Sequence, residues 1–470
     1  MSKILLIKPR FLAPEFRTVT QPMGLMYIAA VLKEAGHEPK IYDYCGDHKD
    51  LRVLKSIITG WKPDFIGISI IVTELENTKR IMGMIRHLLP DIPVTFGGPW
   101  PSVNPQEALK TFGSDFVVIG EGEYAFPKLI NALNKGLSTE SISGTAFLAN
   151  GEVKINPGRP LTEEELDALP FPAWDLLDHG LYAKMPSGAG VGRRRYMAIV
   201  TSRGCPFRCA YCHRTMGKVF RKRTAESVLA EMEELYFRHG FREFEVVDDC
   251  FNLDRERMHA ILKGIRDRVG DIRLHFGNGL RTDMLEPEDI MALKQAGTVS
   301  AGFAIETSSP RLQKMIHKNL NIDKAMLAIN AAVKAGIYST GFFMIGFPTE
   351  THEEASATVE FAVRSPLHRA SFMLVTPFAG TELAAMAADI LKNKNDAVNP
   401  RTMTFFTSTL NISAMPDDDL QRVFRRAYRR FYLNPKRLWN LIVYHPQASS
   451  LPWYAFIVMI NALPIRRRDA

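Results

Sequence analysis

Three cysteines carry the most specific chemical information in this chain. Cys205, Cys209 and Cys212 form a C-x3-C-x2-C pattern that follows an apolar run, Tyr196 to Val200. Three thiolates can hold three irons of a [4Fe–4S] cluster and leave the fourth iron open to an external ligand. Because no fourth cysteine lies nearby in the sequence, the pattern favours catalysis at the open iron over simple electron transfer.

A zinc site and a disulfide framework explain these cysteines less well. A structural zinc site usually has four ligands in two spaced pairs, whereas His213 directly follows Cys212 and no second pair is present. Disulfides are disfavoured because only 5 cysteines occur in 470 residues and no secretory signal is recognised. The sequence therefore predicts that Cys205, Cys209 and Cys212 bind iron.

The residue before the last cysteine strengthens this interpretation. With Tyr211 in that position, the loop resembles that of the radical S-adenosylmethionine enzymes. The resemblance implies that the amino and carboxylate groups of S-adenosylmethionine bind the open iron and that Tyr211 contacts this cofactor. It also implies that an electron from the cluster cleaves the sulfonium to a 5′-deoxyadenosyl radical. It identifies the initiating chemistry and leaves the substrate open.

Residues 1–145 alternate apolar runs with amphipathic segments, as in a doubly wound, flavodoxin-like parallel sheet. The predicted strands are Lys3–Lys8, Pro39–Tyr42, Phe65–Ile70, Val94–Phe96 and Asp115–Ile119. The predicted helices are Leu25–Ala35, Leu51–Gly60, Leu75–Leu89 and Pro105–Lys110, with another that starts at Glu123. In such a sheet, ligands bind beyond the carboxyl ends of the strands.

Small and polar residues gather at these predicted strand ends. Together with Gln21-Pro22-Met23-Gly24-Leu25, their order resembles the cobalamin-binding subgroup of radical enzymes over residues 1 to about 385. The resemblance implies a cobalamin-binding domain whose candidate cofactor-binding residues are Ser69, Thr73, Gly97, Gly98, Trp100, Gly120, Glu121 and Gly122. The D-x-H-x-x-G motif is absent, since Asp47 and His48 are adjacent. The resemblance then implies cobalamin with its own base detached and no histidine beneath cobalt; the lower ligand stays open.

Residues 146–195 are poor in periodicity and are predicted to form a linker, after which the βα alternation resumes in residues 196–385. Six repeated units predict an open six-stranded (β/α)6 partial barrel with its chemistry at the strand ends. The strands are predicted at Met197–Thr201, Phe244–Val247, Leu274–Gly277, Ser300–Ile305, Gly341–Ile345 and Ser371–Val375. The helices are predicted at Ala225–Arg238, Arg255–Val269, Pro287–Gln295, Ile322–Lys334 and Glu353–Val363.

Charged residues follow several of these strands and are candidate contacts of S-adenosylmethionine. Asp248 and Asp249 suit the ammonium group, and Arg281 suits the carboxylate through paired hydrogen bonds. Glu306 is placed for the ammonium group or ribose hydroxyls, and the backbone near Gly346 is placed for an adenine edge. The family resemblance supports these roles strand by strand. For each residue alone, a capping or loop-ordering role is equally open.

The carboxyl-terminal range, 386–470, is predicted to be a helical extension. Seven basic residues and no acidic residue lie between Arg422 and Arg437, with aromatic residues at helical spacing, and an apolar stretch precedes Arg466-Arg467-Arg468. Two roles stay open: a helix that covers the barrel, or a basic amphipathic segment that contacts the membrane interface. No recognised nucleic-acid module accompanies the charge, so no nucleic-acid partner is expected. No apolar run is long enough to span a membrane.

The resemblance to the cobalamin-binding radical enzymes implies an enzyme that methylates an unactivated carbon of a small molecule or lipid-like substrate. Its implied cofactors are a [4Fe–4S] cluster, S-adenosylmethionine and cobalamin, and an external donor of the flavodoxin or ferredoxin type would reduce it. An oxygen-labile cluster and reduced thiols favour the cytoplasm under low oxygen, with membrane association left open. The alternatives are a radical cyclase like the anaerobic magnesium-protoporphyrin monomethyl ester cyclases, and a cobalamin-responsive binding protein with a degenerate barrel.

Overall fold

The chain folds into two compact units, and each is built around one mainly parallel sheet. The structure, a computed structural model, describes residues 1–10, 19–44, 50–187, 193–213, 216–393 and 410–462. The first unit comprises Met1–Met185 and Thr215–Arg223, and the second comprises Pro186–Arg214 and Thr224–Ala470.

The first unit alternates strands and helices in the order that the sequence predicts. Its strands are β1 (Lys3–Lys8), β2 (Glu38–Asp43), β3 (Phe65–Ser69), β4 (Val94–Gly97), β5 (Phe116–Val118), β6 (Thr145–Ala149) and β7 (Glu152–Ile155). Its helices are α1 (Met23–Glu34), α2 (Leu51–Trp61), α3 (Leu75–Leu88), α4 (Pro99–Val103), α5 (Pro105–Lys110), α6 (Ala125–Asn134), α7 (Glu163–Asp167) and α8 (His179–Tyr182).

Strands β1 to β5 form a parallel sheet with the flavodoxin-like order β2-β1-β3-β4-β5. Residues Ile4 to Ile7 of β1 are all buried, as expected for a central strand that is covered by helices on both faces. The predicted doubly wound fold is confirmed. The carboxyl ends of β1, β3, β4 and β5 therefore lie along one edge of this sheet.

An antiparallel hairpin extends the first sheet beyond β5. Strand β6 pairs with β5, and β7 pairs with β6 through a two-residue turn at Asn150-Gly151. Both turn residues have positive φ, 53° and 80°, which is the geometry of a tight hairpin turn. The hairpin lies at the start of the range predicted as a linker, so this part of that range adds two strands to the sheet.

The second unit contains the predicted six-stranded alternation and the carboxyl-terminal helices. Its strands are β8 (Met197–Ile199), β9 (Ser202–Arg203), β11 (Glu243–Val246), β12 (Arg273–Leu280), β13 (Thr298–Glu306), β14 (Tyr338–Ile345) and β15 (Arg369–Leu374); the two-residue strand β10 (Arg221–Lys222) belongs to the first unit. Its helices are α9 (Ala225–Glu233), α10 (Arg255–Gly264), α11 (Pro287–Gln295), α12 (Pro310–Met315), α13 (Ile322–Lys334), α14 (His352–Arg364), α15 (Glu382–Asn393), α16 (Asp417–Tyr432), α17 (Pro435–Tyr444) and α18 (Leu451–Ala462).

All six strands of the second sheet are parallel, and their order β8-β11-β12-β13-β14-β15 follows the chain. This sequential order is that of an open partial barrel, and the predicted architecture is confirmed. Helices α9 and α10 each continue into one wider turn, Glu234–Arg238 and Ile265–Val269, inside the ranges predicted for single helices.

Helix α16 covers the edge strand of the second sheet. The hydroxyl of Tyr432 accepts a hydrogen bond from the amide of Ala370 (3.2 Å) and donates one to its carbonyl oxygen (2.7 Å), and Tyr428 donates to the carbonyl of Phe372 (2.9 Å). These bonds satisfy backbone groups that an edge strand would otherwise expose. No helix in the described part of the chain is long and apolar enough to cross a membrane, and Arg466 to Arg468 lie outside the described residues.

Candidate functional site

The loop that carries the three cysteines follows β9 and is held by its backbone at both ends. The amide of Gly204 donates to the carboxylate of Asp249 (3.0 Å), which follows β11. Further along, the amide of Ala210 donates to the carbonyl of Ile316 (2.9 Å), and its carbonyl accepts from the amide of Leu383 (2.8 Å). Asp249, a predicted cofactor contact, thus orders the start of the cysteine loop.

The predicted iron ligands lie on this one loop in differing environments. Cys205 and Cys209 are half-buried, whereas Cys212 is exposed. A hydrogen bond with the thiol of Cys250 lowers the pKa of Cys205 to about 7. Within the described ranges, no three or more His, Cys, Asp or Glu side chains are grouped closely enough to bind one metal ion. A [4Fe–4S] cluster, in which each thiolate binds a different iron, fits three thiols spread along a loop.

Tyr211, within the cysteine loop, is half-buried and contacts the buried side chains of Glu306 and Lys318. The Oε1 atom of Glu306 accepts from the Tyr211 hydroxyl and from the Lys318 ammonium, each at 3.1 Å, and Lys318 also donates to the Tyr211 oxygen at 3.1 Å. Among the residues that the structure describes, the buried Oε2 atom of Glu306 has no hydrogen-bond partner. A buried carboxylate oxygen normally has a donor, so this atom indicates the place of a bound polar group.

The backbone at Glu306 is also unusual. Its φ is 65°, in the left-handed region, and the pairing of β13 with β14 shifts register between Ala304 and Glu306. Such bulges and strained residues cluster where a side chain must be turned toward a ligand. Lys318 escaped the sequence analysis because it lies outside every predicted strand end, in the segment between α12 and α13. No local pattern in the sequence marks Lys318, because its partner Tyr211 lies 107 residues away along the chain.

The turn after β14 uses its backbone donors internally. The carboxylate of Glu350 accepts from the amides of Gly346 (2.5 Å) and Phe347 (3.0 Å), and burial raises the pKa of Glu350 to about 7. Gly346 has a φ of 104°, which favours glycine. The predicted contact of this backbone with an adenine edge stays a prediction, and it requires groups other than these two amides. The Phe347 ring lies 6.3 Å from the ring of Tyr211.

Arg281 braces the cysteine loop. Its guanidinium stacks over the ring of Phe207, between the first two cysteines, at 4.2 Å and pairs with Asp283 at 2.6 Å. It also donates to the carbonyl of Lys318 (3.0 Å). Arg281 therefore links the loop to the segment that carries Lys318, and its predicted contact with a carboxylate stays a prediction.

Asp248, by contrast, has all its contacts within the protein. Its buried carboxylate accepts from the amide of Thr201 (2.6 Å) and from the hydroxyls of Thr201 (2.5 Å) and Ser202 (2.6 Å), and burial raises its pKa. These contacts support a role in ordering the chain that leads from β8 into the cysteine loop. Binding of a cofactor by Asp248 was predicted from its place after a strand, and its contacts do not favour it.

In the first unit, the ends of β3 and β4 approach each other closely. Gly98 has a φ of 92°, and a Cβ atom there would lie 2.9 Å from the Ser69 hydroxyl and 3.0 Å from the Ile70 amide. Thr73 is half-buried in the single turn Val72–Glu74 that follows β3. Glycine is thus required at Gly98, and this part of the edge presents small, neutral groups of the kind that let a bulky cofactor approach the backbone.

Other predicted cofactor contacts of the first unit are engaged internally. Trp100 is buried in the core and packs edge-on against Phe112 at 5.2 Å. The Glu121 carboxylate accepts from the amide of Leu161 (2.6 Å) and pairs with Arg221 at 2.7 Å. The contacts of Trp100 and Glu121 support structural roles, which their positions after strands did not reveal.

The glycines after β5 have different surroundings. Gly120 has a φ of 75°, and its amide donates to the hydroxyl of Ser102 (2.9 Å). At Gly122, a Cβ atom would lie 3.1 Å from Ile28 of α1, so glycine permits close helix packing there. At Gly97, no atom of the described residues lies within 4 Å of the position that a Cβ atom would take. Asp47 and His48 lie outside the described residues.

A buried ion pair at the same edge escaped the sequence analysis. Lys8, at the end of β1, donates to both carboxylate oxygens of Glu74 at 2.6 and 2.7 Å, and the amide of Ile71 donates to Glu74 as well (3.0 Å). Burial raises the pKa of Glu74, and the adjacent Lys8 opposes this effect. The charges of Lys8 and Glu74 thus neutralise each other within the protein.

Two family models match the chain in the regions that the fold separates. The model for the B12 binding domain matches residues 9–130, and the model for the Radical SAM superfamily matches residues 199–362. An uncharacterized methyltransferase of Pyrococcus horikoshii is 31% identical over 431 residues, which cover 91% of each chain. This protein belongs to the cobalamin-dependent radical S-adenosylmethionine enzymes. The predicted family is therefore confirmed, and so are the predicted cofactors at the level of the two domains.

Other similarities agree with this family. The anaerobic magnesium-protoporphyrin IX monomethyl ester cyclase of Rubrivivax gelatinosus is 25% identical over 422 residues, which cover 88% of this chain and 74% of that protein. Among solved structures, the radical S-adenosylmethionine methyltransferase TsrM from Kitasatospora setae, with cobalamin and a [4Fe–4S] cluster bound, superposes with a TM-score of 0.72. The two chains are 19% identical, and the superposition covers 93% of this cobalamin-dependent radical enzyme and 90% of TsrM. This similarity supports the assignment of the fold.

Proposed function

We propose that this enzyme methylates an unactivated carbon atom of a small molecule or lipid-like substrate. When bound, the cluster and S-adenosylmethionine supply a 5′-deoxyadenosyl radical that removes hydrogen from carbon, and cobalamin supplies the methyl group. The overall reaction consumes two molecules of S-adenosylmethionine and two electrons for each methyl group. It yields the methylated product, S-adenosylhomocysteine, methionine and 5′-deoxyadenosine, so that atoms and charges balance.

The contacts among Tyr211, Glu306 and Lys318 support the radical step of this proposal, and the similarity to the Pyrococcus horikoshii methyltransferase supports the methyl transfer. The Oε2 atom of Glu306 suits an ammonium group or ribose hydroxyls, and the neighbouring lysine suits a carboxylate. S-adenosylmethionine carries all of these groups. We infer that Glu306 and Lys318 orient it beside Cys205, Cys209 and Cys212, while Arg281 and Asp249 keep the cysteine loop in place.

In the first unit, the close approach of Ser69 and Gly98 supports the binding of cobalamin at the ends of β3 and β4. Thr73, Gly97 and Gly120 lie along the same edge and are half-buried. Their small side chains allow a large, flat cofactor to lie near the backbone. The role proposed for this edge is therefore one of shape, without charged contacts.

One partner and a location follow from the cofactor chemistry. Both electrons must come from outside the chain, and we infer a donor protein of the flavodoxin or ferredoxin type. A cluster with an open iron is sensitive to oxygen, which favours the cytoplasm under low oxygen. These inferences concern the reaction and do not specify the substrate.

The experiment that tests this function follows the methyl group. Protein reconstituted anaerobically with iron, sulfide and hydroxocobalamin is incubated with a reductant, cell extract and S-adenosylmethionine that carries a deuterated methyl group. We expect a labelled metabolite, together with S-adenosylhomocysteine and 5′-deoxyadenosine. The Cys209→Ala variant, treated in the same way, is expected to form none of the three.

A radical cyclase is the second candidate, favoured by the similarity to the Rubrivivax gelatinosus cyclase. It would form 5′-deoxyadenosine without S-adenosylhomocysteine and would leave the label out of the product. That outcome would replace methylation by cyclisation, while the assignments of the cysteine loop and of Glu306 would stand.

A further inference from the structure

Helix α17 carries an exposed apolar surface that has no part in the proposed reaction. We define the α17 face as Leu438, Trp439, Ile442 and Val443, together with Leu433 in the turn before the helix. Their exposed fractions are 44%, 66%, 56%, 51% and 71% in that order. Residues at positions i, i+1, i+4 and i+5 lie on one side of a helix. Such a contiguous apolar patch is rare on a soluble protein unless it binds something.

The opposite side of α17 is firmly anchored, which fixes the direction of the α17 face. The guanidinium of Arg437 is buried and donates to the carbonyls of Val363 (2.8 Å) and Ser365 (3.0 Å), at the carboxyl end of α14. It also stacks over Phe431 at 3.8 Å, and Leu441 is buried one turn later. Because the buried side chain of Arg437 anchors one side of α17 to the protein, the α17 face on the opposite side faces the solvent.

Exposed basic residues lie on the chain just before the α17 face and at its start. Arg426, Arg429 and Arg430, in the last two turns of α16, and Lys436, at the start of α17, are all exposed. Arg430 pairs with Glu360 of α14 at 2.8 Å. No acidic residue occurs between Leu420 and Arg468 in the sequence. The surface is therefore apolar and basic, without carboxylates of its own segment to neutralise it.

This combination selects one kind of occupant. A second copy of the chain, packed symmetrically on the same face, would place these arginines and lysines against themselves, and like charges oppose such a contact. A bilayer with anionic lipids offers negative headgroups for the basic residues and acyl chains for the apolar ones. Trp439 is the residue type that prefers the boundary between the two.

We propose that the α17 face docks on the surface of an anionic lipid bilayer, with its apolar side chains among the acyl chains and Arg429 and Lys436 at the headgroups. Binding of this kind lies in the plane of the membrane and needs no spanning helix. The proposal goes beyond the methylation reaction. It concerns a surface outside the cysteine loop and the buried Glu306–Lys318 pair, so either can fail without the other.

The test measures co-sedimentation of the reconstituted, full-length protein with vesicles. We expect binding to vesicles of phosphatidylcholine with one-third phosphatidylglycerol, little binding to phosphatidylcholine alone, and release as sodium chloride rises, since salt screens the charges. The triple variant Leu438→Gln, Trp439→Gln, Ile442→Gln should bind anionic vesicles roughly tenfold or more weakly. The double variant Arg429→Gln, Lys436→Gln should lose the preference for anionic lipid.

Matched controls separate docking from a general loss of surface apolarity. Leu327 of α13 and Phe237 after α9 are as exposed as the α17 face, at 69% and 66%, so the double variant Leu327→Gln, Phe237→Gln should bind vesicles like the natural protein. Unchanged Tm values would show that all variants fold, since the substituted residues are exposed.

Two results would overturn the proposal. One is equal sedimentation of the natural protein and the triple variant with anionic vesicles. The other is a dimer in sedimentation velocity that the triple variant abolishes, which would make a second copy the occupant. Formation of 5′-deoxyadenosine, measured without vesicles, reports separately on the reaction.

Discussion

The carboxyl edges of the two sheets carry different kinds of residues, and this suits them to different ligands. In the second unit the edge keeps a buried, charged pair, Glu306 and Lys318, and one oxygen of Glu306 has no hydrogen-bond partner within the described ranges. In the first unit the charged residues at the edge neutralise each other, as Lys8 does with Glu74, and small residues such as Gly98 shape the surface. One edge is suited to a small, charged ligand, and the other to a large one that is recognised by shape.

This difference teaches where stability is given up for function. A buried charge without full compensation costs free energy, and the second unit carries that cost at Glu306 and at Glu350. The first unit pairs its buried carboxylates instead, Glu121 with Arg221 and Glu74 with Lys8, although burial still raises the pKa of Glu74. We therefore expect a substitution at the edge of the second unit to lower mainly the affinity for a ligand. A substitution at the edge of the first unit should also lower stability.

The largest effect is expected at the charged edge. The Glu306→Gln variant removes the charge that faces Lys318 and the bound ammonium or hydroxyl groups, so the Kd of S-adenosylmethionine should rise roughly 10- to 100-fold. Equilibrium binding to the reconstituted protein measures this change. The exposed Glu353→Gln variant is the control, and cobalamin content should be the same in both.

An unchanged Kd in the Glu306→Gln variant, with an intact cluster, would show that the unpartnered oxygen has no ligand. The charged edge would then be structural, and the comparison between the two units would lose its basis.

The next effect is expected at the edge recognised by shape. Gly98→Ala introduces a Cβ atom against the Ser69 hydroxyl at a φ of 92°, which costs about 1–3 kcal/mol and moves the backbone. Cobalamin content after reconstitution should fall, while the iron content of the second unit should stay the same. The Gly83→Ala variant, in α3 with nothing within 4 Å, should retain cobalamin. Full cobalamin content in the Gly98→Ala variant would contradict the proposed site.

The smallest effect is a dependence of stability on pH. The pKa of Glu350 is about 7 in the folded protein and 4.5 in its ordinary state. The folded protein therefore holds this proton more tightly, and its free energy of unfolding falls as pH rises from about 4.5 to about 7. Glu350→Gln keeps an acceptor for the amides of Gly346 and Phe347 and removes the titration.

Urea unfolding at pH 5 and pH 8 tests this prediction. Relative to the natural protein, Glu350→Gln should gain stability between these values, by about 3 kcal/mol at most. The exposed Glu353→Gln variant should gain none. A gain that is equal at both pH values would mean that the carboxyl of Glu350 does not titrate in this window.

The sequence predicted most of the elements because both sheets are mainly parallel and most of their strands are rich in apolar residues. It missed the hairpin of β6 and β7, although Asn150-Gly151 is a strong turn signal, because the residues after Gly151 include too few apolar positions to stand out. This hairpin is antiparallel and partly exposed. A prediction based on buried βα units therefore assigned these residues to a linker.

The sequence predicted where the site residues lie more reliably than it predicted what each of them contacts. Cys205, Cys209 and Cys212 share one loop, and Glu306 ends a strand beside it, as the pattern indicated. Whether a residue at a strand end faces a ligand depends on its neighbours in space. Trp100 packs in the core, and the carboxylate of Asp248 accepts hydrogen bonds from Thr201 and Ser202. Lys318 depends on a contact across more than 100 residues with Tyr211, which no local pattern reveals.

The most direct test of the whole account is the composition of the metal centre and its response to S-adenosylmethionine. Anaerobically reconstituted protein should contain about four irons and four sulfides, and the electron paramagnetic resonance spectrum of the reduced cluster should change when S-adenosylmethionine is added. A nitrogen-15 label in the amino group of S-adenosylmethionine should then couple to the cluster. Zinc in place of iron, no acid-labile sulfide, or a spectrum that S-adenosylmethionine leaves unchanged would contradict an open iron held by three cysteines.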